Sequence, residues 1–167
     1  MTIRGHVIYF FVTVLFMLSG PLYAEEENME AAMAESLLRK AIETINRNGP
    51  VEAFYKFNTK REEFCYGEIY VWVVSMDGVI FAHCADPTMV GLDIMQAQDG
   101  AVTQEEKSSA SNLINYALKE REGILEYDWW NPVNSLLEKK HAYFKTVSPD
   151  NFRVDFIVLT GYYTSKQ

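Results

Sequence analysis

The side chains in this sequence best suited to line a small polar pocket are an imidazole and an indole. His83 and Trp72 lie on either side of Asp77-Gly78, a dipeptide typical of tight hairpin turns. A two-residue turn there sets Met76 opposite Val79 and Trp72 opposite His83, so the two rings share one face of the hairpin. The imidazole can donate a hydrogen bond to a ligand. For a lone histidine, a core position satisfied by a backbone group is the commoner interpretation.

Further candidate residues lie in the last third of the chain. Tyr127 and Trp129 alternate with polar residues, which places both on one side of a strand. Aromatic pairs of this kind mostly fill cores, although a phenol can also donate a hydrogen bond to a ligand. Lys140 could supply a positive charge, or could be a solvated lysine at the start of a strand. Tyr143 has the same two interpretations as Tyr127.

The sequence predicts no catalytic or metal-binding chemistry. Cys84 follows His83 directly, and neighbours on a strand point to opposite faces, so without a bulge they cannot pair as nucleophile and base. The serines lack the nucleophile-elbow pattern, and His83 and His141 lack metal-ligand spacing. We therefore expect a protein that is not an enzyme and has no cofactor.

Composition restricts the class of partner. The 167 residues are 49% hydrophobic and 14% aromatic, enough for one domain with a substantial core. The formal net charge is −8, and lysine and arginine are not clustered. Such a surface repels phosphate backbones, so we expect no nucleic-acid partner. A small anion is still compatible, because one local cation can bind it.

The first 24 residues resemble a secretory signal peptide. Arg4 precedes an apolar run over residues 7–18, then Gly20-Pro21 and a small residue, Ala24, before an acidic segment. The run is short for a transmembrane helix. We expect residues 1–24 to be removed, residues 25–167 to form the mature domain, and the protein to be periplasmic or secreted. An uncleaved membrane anchor is the alternative.

The two cysteines leave their pairing open. Export would place Cys65 and Cys84 where a disulfide persists. The hairpin register sets Val71, and not Cys65, opposite Cys84, so pairing requires a bend near Gly67. Two buried, unbonded cysteines are an equally good interpretation.

The secondary-structure pattern predicts an α+β domain. Apolar residues recur at three- and four-residue spacing over residues 31–48, which predicts an amphipathic helix ending at Gly49-Pro50. A short helix over residues 51–57 precedes the hairpin. After it, we expect a helix capped by Ser108 or Ser109 and ending near Gly123, then strands over residues 124–129, 140–147 and 152–163. This order favours an antiparallel sheet.

Several motifs, in order, resemble those of single Cache domains of type 2 (sCache). Segment 70–83 resembles their Asp-Gly hairpin closed by Ala-His, and segment 86–91 their Asn-Pro…Val-Gly loop. Three later motifs are similar to their Tyr-x-Trp-Pro-Asn-Pro, Lys-x-x-Tyr and Gly-x-Tyr patterns, carried here by Tyr127, Trp129, Asn131, Pro132, Lys140, Tyr143, Gly161 and Tyr163. The resemblance spans roughly residues 31–163. Cys84 and Trp130 stand where the family has proline.

The resemblance implies a PAS-like antiparallel sheet with a long N-terminal helix, the Cache fold. It implies an extracytoplasmic sensor, here in a stand-alone secreted form, that binds a small organic anion of the acetate, propionate, lactate or pyruvate class. A chemotaxis-like receptor or a histidine kinase in the membrane would read the signal, and a homodimer is compatible with the family. The implied ligand-binding residues are Trp72, His83, Tyr127, Trp129, Lys140 and Tyr143. The alternative is a secreted protein–protein interaction domain of the same fold without a small ligand.

Overall fold

The computed structural model describes residues 20–97, 103–150 and 152–164. The helices are α1 (Gly20–Asn48), α2 (Pro50–Thr59), α3 (Arg61–Phe64) and α4 (Gln104–Glu120), with a 3-10 turn at Pro87–Met89. The strands are β1 (Cys65–Tyr66), β2 (Ile69–Tyr70), β3 (Trp72–Ser75), β4 (Ile80–His83), β5 (Glu122–Trp130), β6 (Leu137–Val147) and β7 (Phe156–Tyr163). No helix within these ranges is long and apolar enough to cross a membrane. The apolar run of the predicted signal peptide lies outside them.

Five strands form one antiparallel sheet with helices on both faces. The strand order is β4-β3-β7-β6-β5, and β1 and β2 form a separate two-stranded ribbon. On one face α1 packs against β7, where the Thr160 hydroxyl donates to the Ala34 carbonyl at 2.6 Å. On the other face α4 packs against β6, with the rings of Tyr116 and Phe144 5.7 Å apart. The predicted α+β fold with a long N-terminal helix is confirmed.

The β3–β4 hairpin has the predicted register at its open end and a different one at its turn. Trp72 pairs with His83 as predicted. At the turn, however, Ser75 and not Met76 bonds Val79, which makes a three-residue loop ending at Gly78 with φ 96°. A β-bulge in β4 then restores the predicted register. Val74 pairs with Ile80 and Val73 pairs with Ala82, so Phe81 is the extra, unpaired residue.

The bulge changes the face that Phe81 occupies. The hairpin pattern places Phe81 with Trp72 and His83, but its ring lies 5.9 Å from Phe54 of α2 and 5.0 Å from Phe156. That prediction is wrong, because the extra residue on β4 shifts the alternation of side chains by one. The bulge therefore separates an aliphatic-aromatic core beneath α2 from the polar cluster around His83. The apolar residues on both faces of the hairpin predict a central position in the sheet, but β4 is the edge strand.

Three predicted helix ends also differ in the structure. Helix α1 begins at Gly20, well before residue 31, because the segment rich in glutamate and alanine that precedes residue 31 consists of good helix formers and continues the helix. Helix α4 is capped by Thr103 and not by Ser108 or Ser109: Thr103 and Glu106 form a reciprocal capping box. The same helix ends at Arg121, which adopts the left-handed conformation expected of Gly123.

One glycine brings β6 and β7 close together beside the polar cluster. A β-carbon at Gly161 would run into the backbone oxygen of His141, so only glycine fits opposite Ala142. Two positions further along this ladder, Lys140 pairs with Tyr163. The close approach of the two strands thus sets the distance between the Lys140 ammonium and the Tyr163 ring.

Candidate ligand-binding site

Five of the six predicted site residues meet at one end of the sheet. Trp72 opens β3 and His83 closes β4, while Trp129 lies at the end of β5 and Lys140 near the start of β6. Because the strands are antiparallel, these ends coincide. The ring centroids of Trp72 lie 4.7 Å from Trp129, 6.1 Å from His83 and 6.4 Å from Tyr127. The four rings therefore form one continuous aromatic cluster, and all are buried.

The sixth residue, Tyr143, lies elsewhere. Its ring contacts His141 at 5.7 Å, and it lines a surface groove beside Glu35 of α1. Lys140 and Tyr143 are three positions apart on β6, and side chains an odd number apart point to opposite faces of a strand. The expectation that Tyr143 joins the other five is corrected on this geometric ground.

Two tyrosines that the predicted set omitted complete the cluster. The Lys140 ammonium lies 3.6 Å from the Tyr70 ring centroid and 4.7 Å from that of Tyr163. The two phenol oxygens are 3.3 Å apart, and Tyr163 donates to the Trp130 carbonyl at 2.8 Å. Alternation in the hairpin already groups Tyr70 with Trp72, so the sequence carried a signal for this residue.

Lys140 is a buried cation without a carboxylate partner in the described part of the chain. Its side chain is 2% exposed, and the faces of two tyrosine rings are its close contacts. Burial lowers the pKa of Lys140 well below its usual value, while the negative charge of Glu68 acts in the opposite direction. An ammonium in such a position favours an anion beside it.

His83 is held as a neutral ring with one free donor. Its Nδ1 accepts a hydrogen bond from the Asp86 amide at 2.9 Å, which leaves the proton on Nε2. Burial, followed by the nearby charge of Lys140, lowers the pKa of His83 to about 3. Within the described residues, Nε2 of His83 and Nε1 of Trp72 are buried without a hydrogen-bond partner. Two adjacent N–H donors thus lack an acceptor.

Helix α2 and a disulfide fix the backbone around His83. The Asn58 side chain accepts from the His83 amide at 3.0 Å and donates to the Phe81 carbonyl at 3.1 Å, which satisfies the outer edge of β4. Cys65 and Cys84 are joined by a disulfide, with Cα atoms 5.9 Å apart. The bend that the pairing requires is the β1–β2 ribbon, which turns at Gly67 with φ 63°.

A cavity of about 350 Å³ opens beside the cluster. Its walls come from segment 83–92, from Glu106 of α4 and from segment 129–135, and they include His83 and Trp129. Asn131 is buried and its side chain accepts from the Val133 amide at 2.9 Å, which shapes the turn beside the cavity. Lys140 lies behind this wall, next to Tyr70. The described residues contain no group of three His, Cys, Asp or Glu side chains able to hold a metal ion.

The sequence profile of the family described as single Cache domain 2 matches residues 52–166. The chain belongs to this family. The predicted family is thereby confirmed, and with it a sensor domain of a non-catalytic, ligand-binding kind. No curated protein sequence matches the chain significantly.

Solved structures share the Cache fold at low sequence identity. A methyl-accepting chemotaxis protein from Vibrio parahaemolyticus RIMD 2210633 is 13% identical with a TM-score of 0.59, covering 86% of this chain and 94% of its own. A periplasmic sensor domain of a chemotaxis protein is 17% identical with a TM-score of 0.56, covering 85% and 97%. A Cache chemosensory domain that recognises carboxylic acids is 16% identical with a TM-score of 0.55, covering 88% and 99%.

Proposed function

We propose that this Cache domain is an extracytoplasmic sensor that binds a small carboxylate through Trp72, His83, Tyr127, Trp129 and Lys140. The observation that carries the proposal is the pair of buried N–H donors, on His83 and Trp72, that lack an acceptor. Leaving a buried donor unpaired costs about 1–3 kcal/mol. Native proteins rarely keep such groups without a reason, and a bound acceptor is one.

A carboxylate matches what the cluster lacks. Its two oxygens accept several hydrogen bonds, and those from the His83 and Trp72 rings would be charge-assisted. Lys140 and His83 both contact the Tyr70 ring, at 3.6 Å and 4.9 Å from its centroid, so the Lys140 charge would also attract an anion bound at His83. The recognition of carboxylic acids by a structurally similar Cache domain supports the same ligand class, of which acetate, propionate, lactate and pyruvate are members.

The role that we infer is signalling outside the cytoplasm. The structurally similar chemotaxis proteins include a periplasmic sensor domain. We propose that the mature domain, residues 25–167, is released by cleavage of a signal peptide. Its ligand-bound form would then be presented to a receptor or histidine kinase in the membrane.

Thermal unfolding of the purified protein with small carboxylates tests the proposal. A ligand at a hundred times its dissociation constant adds about 2.7 kcal/mol, which raises the melting temperature by several degrees in a domain of this size. We expect at least one monocarboxylate to give this shift, and Lys140→Met to abolish it. Lys139→Met is the matched control, because Lys139 is exposed and pairs with Asp128 on the sheet surface.

The result that would overturn the proposal is a set of carboxylates, amino acids included, none of which stabilises the folded protein. If Lys139→Met loses the shift in melting temperature as well as Lys140→Met, binding depends on the general surface charge instead. Without ligand stabilisation, a domain that binds a partner protein with the same fold becomes the better interpretation.

A further inference from the structure

The charges around the cavity do not match a simple anion. Two carboxylate side chains, Asp86 and Glu106, line its wall, and no lysine or arginine is among the lining residues. Two positive charges lie nearby but outside the lining: Lys140 contacts the Tyr70 ring, and Arg61 donates to the Ala85 carbonyl at 3.3 Å. A ligand with only a carboxylate would therefore face two negative charges on the wall of this cavity.

Both carboxylates are held in place by backbone hydrogen bonds. One oxygen of Asp86 accepts from the Thr88 amide at 3.0 Å and from the Thr88 hydroxyl at 2.5 Å. Glu106 is 8% exposed, and one of its oxygens accepts from the Thr103 amide at 2.8 Å in the capping box. In each case the second oxygen has no hydrogen bond within the described residues, so it can accept from a ligand.

Aromatic rings on the same wall also favour a cation. Trp129 and Trp130 line the cavity beside Glu106, and tryptophan faces attract ammonium groups. At the inner side of the cavity, His83 is 2% exposed and its Nε2 has no partner. A buried unpaired donor suited to an anion thus lies in a residue of the cavity wall, and two fixed carboxylates suited to a cation lie elsewhere on the same wall.

We propose that the ligand is a zwitterion, a small amino acid whose carboxylate accepts from His83 and whose ammonium lies against Asp86 and Glu106. This rests on the proposed function and specifies its ligand class. A site that must bind both charges discriminates against the acid without the amine, because its two carboxylates are then left facing a ligand of like charge.

Titration calorimetry on the full chain with matched pairs of compounds tests the inference. The pairs are glycine with acetate and alanine with propionate, in which the acid differs from the amino acid by the amine alone. Leucine with 4-methylpentanoate extends the series to a larger side chain. We expect one amino acid to bind at least tenfold more tightly than its matched acid.

Two variants assign the preference to the carboxylates. Asp86→Asn and Glu106→Gln each remove a charge but keep an oxygen that can accept the local backbone hydrogen bond. We expect each to weaken binding of the amino acid tenfold or more and to strengthen binding of its matched acid. Glu105→Gln is the control, because Glu105 lies on the same helical turn, is exposed and does not line the cavity.

The ratio of two affinities in one variant does not depend on the fraction that folds, so partial unfolding does not obscure the result. An acid that binds as tightly as its amino acid overturns this inference and leaves the carboxylate proposal standing. The inference would also be overturned if the wild type, Asp86→Asn and Glu106→Gln all showed the same ratio of amino-acid affinity to acid affinity. If neither the acids nor the amino acids bind, both the inference and the proposed function fail.

Discussion

At the scale of single residues, burial opposes charge on both basic side chains of the cluster. The pKa of Lys140 lies well below its usual value, and that of His83 is about 3, in each case chiefly because the side chain is buried. A carboxylate bound here would reverse the effect by stabilising the charged forms. In the ligand-free protein, burial thus shifts both side chains towards their neutral forms.

The neutral His83 predicts a specific loss of stability in acid. The unfolded chain has the ordinary histidine pKa of 6.5, so between pH 6.5 and about 3 it binds a proton that the folded protein does not. The contribution of His83 to the free energy of unfolding is therefore fully present above pH 6.5. It decreases on acidification by about 1.4 kcal/mol per pH unit between pH 6.5 and about 3. Urea unfolding at a series of pH values measures it.

The matched variant for this prediction is His83→Asn, whose side-chain oxygen can replace Nδ1 as the acceptor for the Asp86 amide. Carboxylates also titrate in acid, so the informative quantity is the difference between the two proteins. We expect the variant to lose less stability than the wild type between pH 6.5 and 4. Parallel curves for the two proteins would show that His83 is not held neutral.

At the scale of elements, the disulfide links the two segments that hold Tyr70 and His83. Cys65 pairs with Tyr70 across the β1–β2 ribbon, and Cys84 follows His83 at the end of β4. The rings of Tyr70 and His83 are 4.9 Å apart. The crosslink therefore holds two walls of the cluster together.

Removing this crosslink should weaken both the fold and the site. The bond spans a sequence separation of 19, for which loop-closure entropy predicts a loss of about 3 kcal/mol of stability. We expect the double variant Cys65→Ala with Cys84→Ala to lose about this much in denaturant unfolding. At a temperature where it remains folded, we also expect weaker binding of the ligand found for the wild type.

Reduction of the wild-type protein with dithiothreitol is the control, because it breaks the bond without changing a side-chain volume. Reduced wild type and double variant should agree in affinity. Unchanged affinity in both, with lower stability, would show that the disulfide supports the fold alone.

Local sequence patterns predicted the elements but not every detail that positions the site. The Asp-Gly turn gave the correct Trp72–His83 pair although the loop has three residues, since the bulge compensates for the longer loop. The bulge itself depends on contacts with the following loop, such as the Gly91 amide donating to the Ile80 carbonyl at 2.8 Å. A hairpin pattern does not contain that tertiary information.

The candidate site shows the same limit. The proximity of Trp72 to His83 and of Tyr127 to Trp129 could be predicted from strand alternation, whereas Lys140 was assigned from a family motif. Tyr143 was assigned from a motif alone, against the alternation that places it beside Glu35. Asn58 was not predicted, because its two hydrogen bonds to β4 join residues 23 and 25 positions apart and leave no local pattern.

At the scale of the whole molecule, the N-terminal segment determines where the domain would act. Residues 1–24 contain one basic and no acidic residue, so their removal changes the formal net charge from −8 to −9. Residues 25–29, at the proposed new N-terminus, are exposed along α1. We therefore expect cleavage after Ala24 to leave the fold and the ligand site unchanged.

Expression of the full chain in a bacterium with a periplasm tests this expectation. The periplasmic fraction should contain a protein whose intact mass corresponds to residues 25–167, with its two cysteines oxidised because that compartment permits disulfides. Ala24→Phe should block processing, since signal cleavage requires a small residue at this position. Full-length wild type that is retained in washed membranes would instead indicate an uncleaved anchor. The sensor would then act at the membrane surface. Its cavity would still bind ligands from the same external solution.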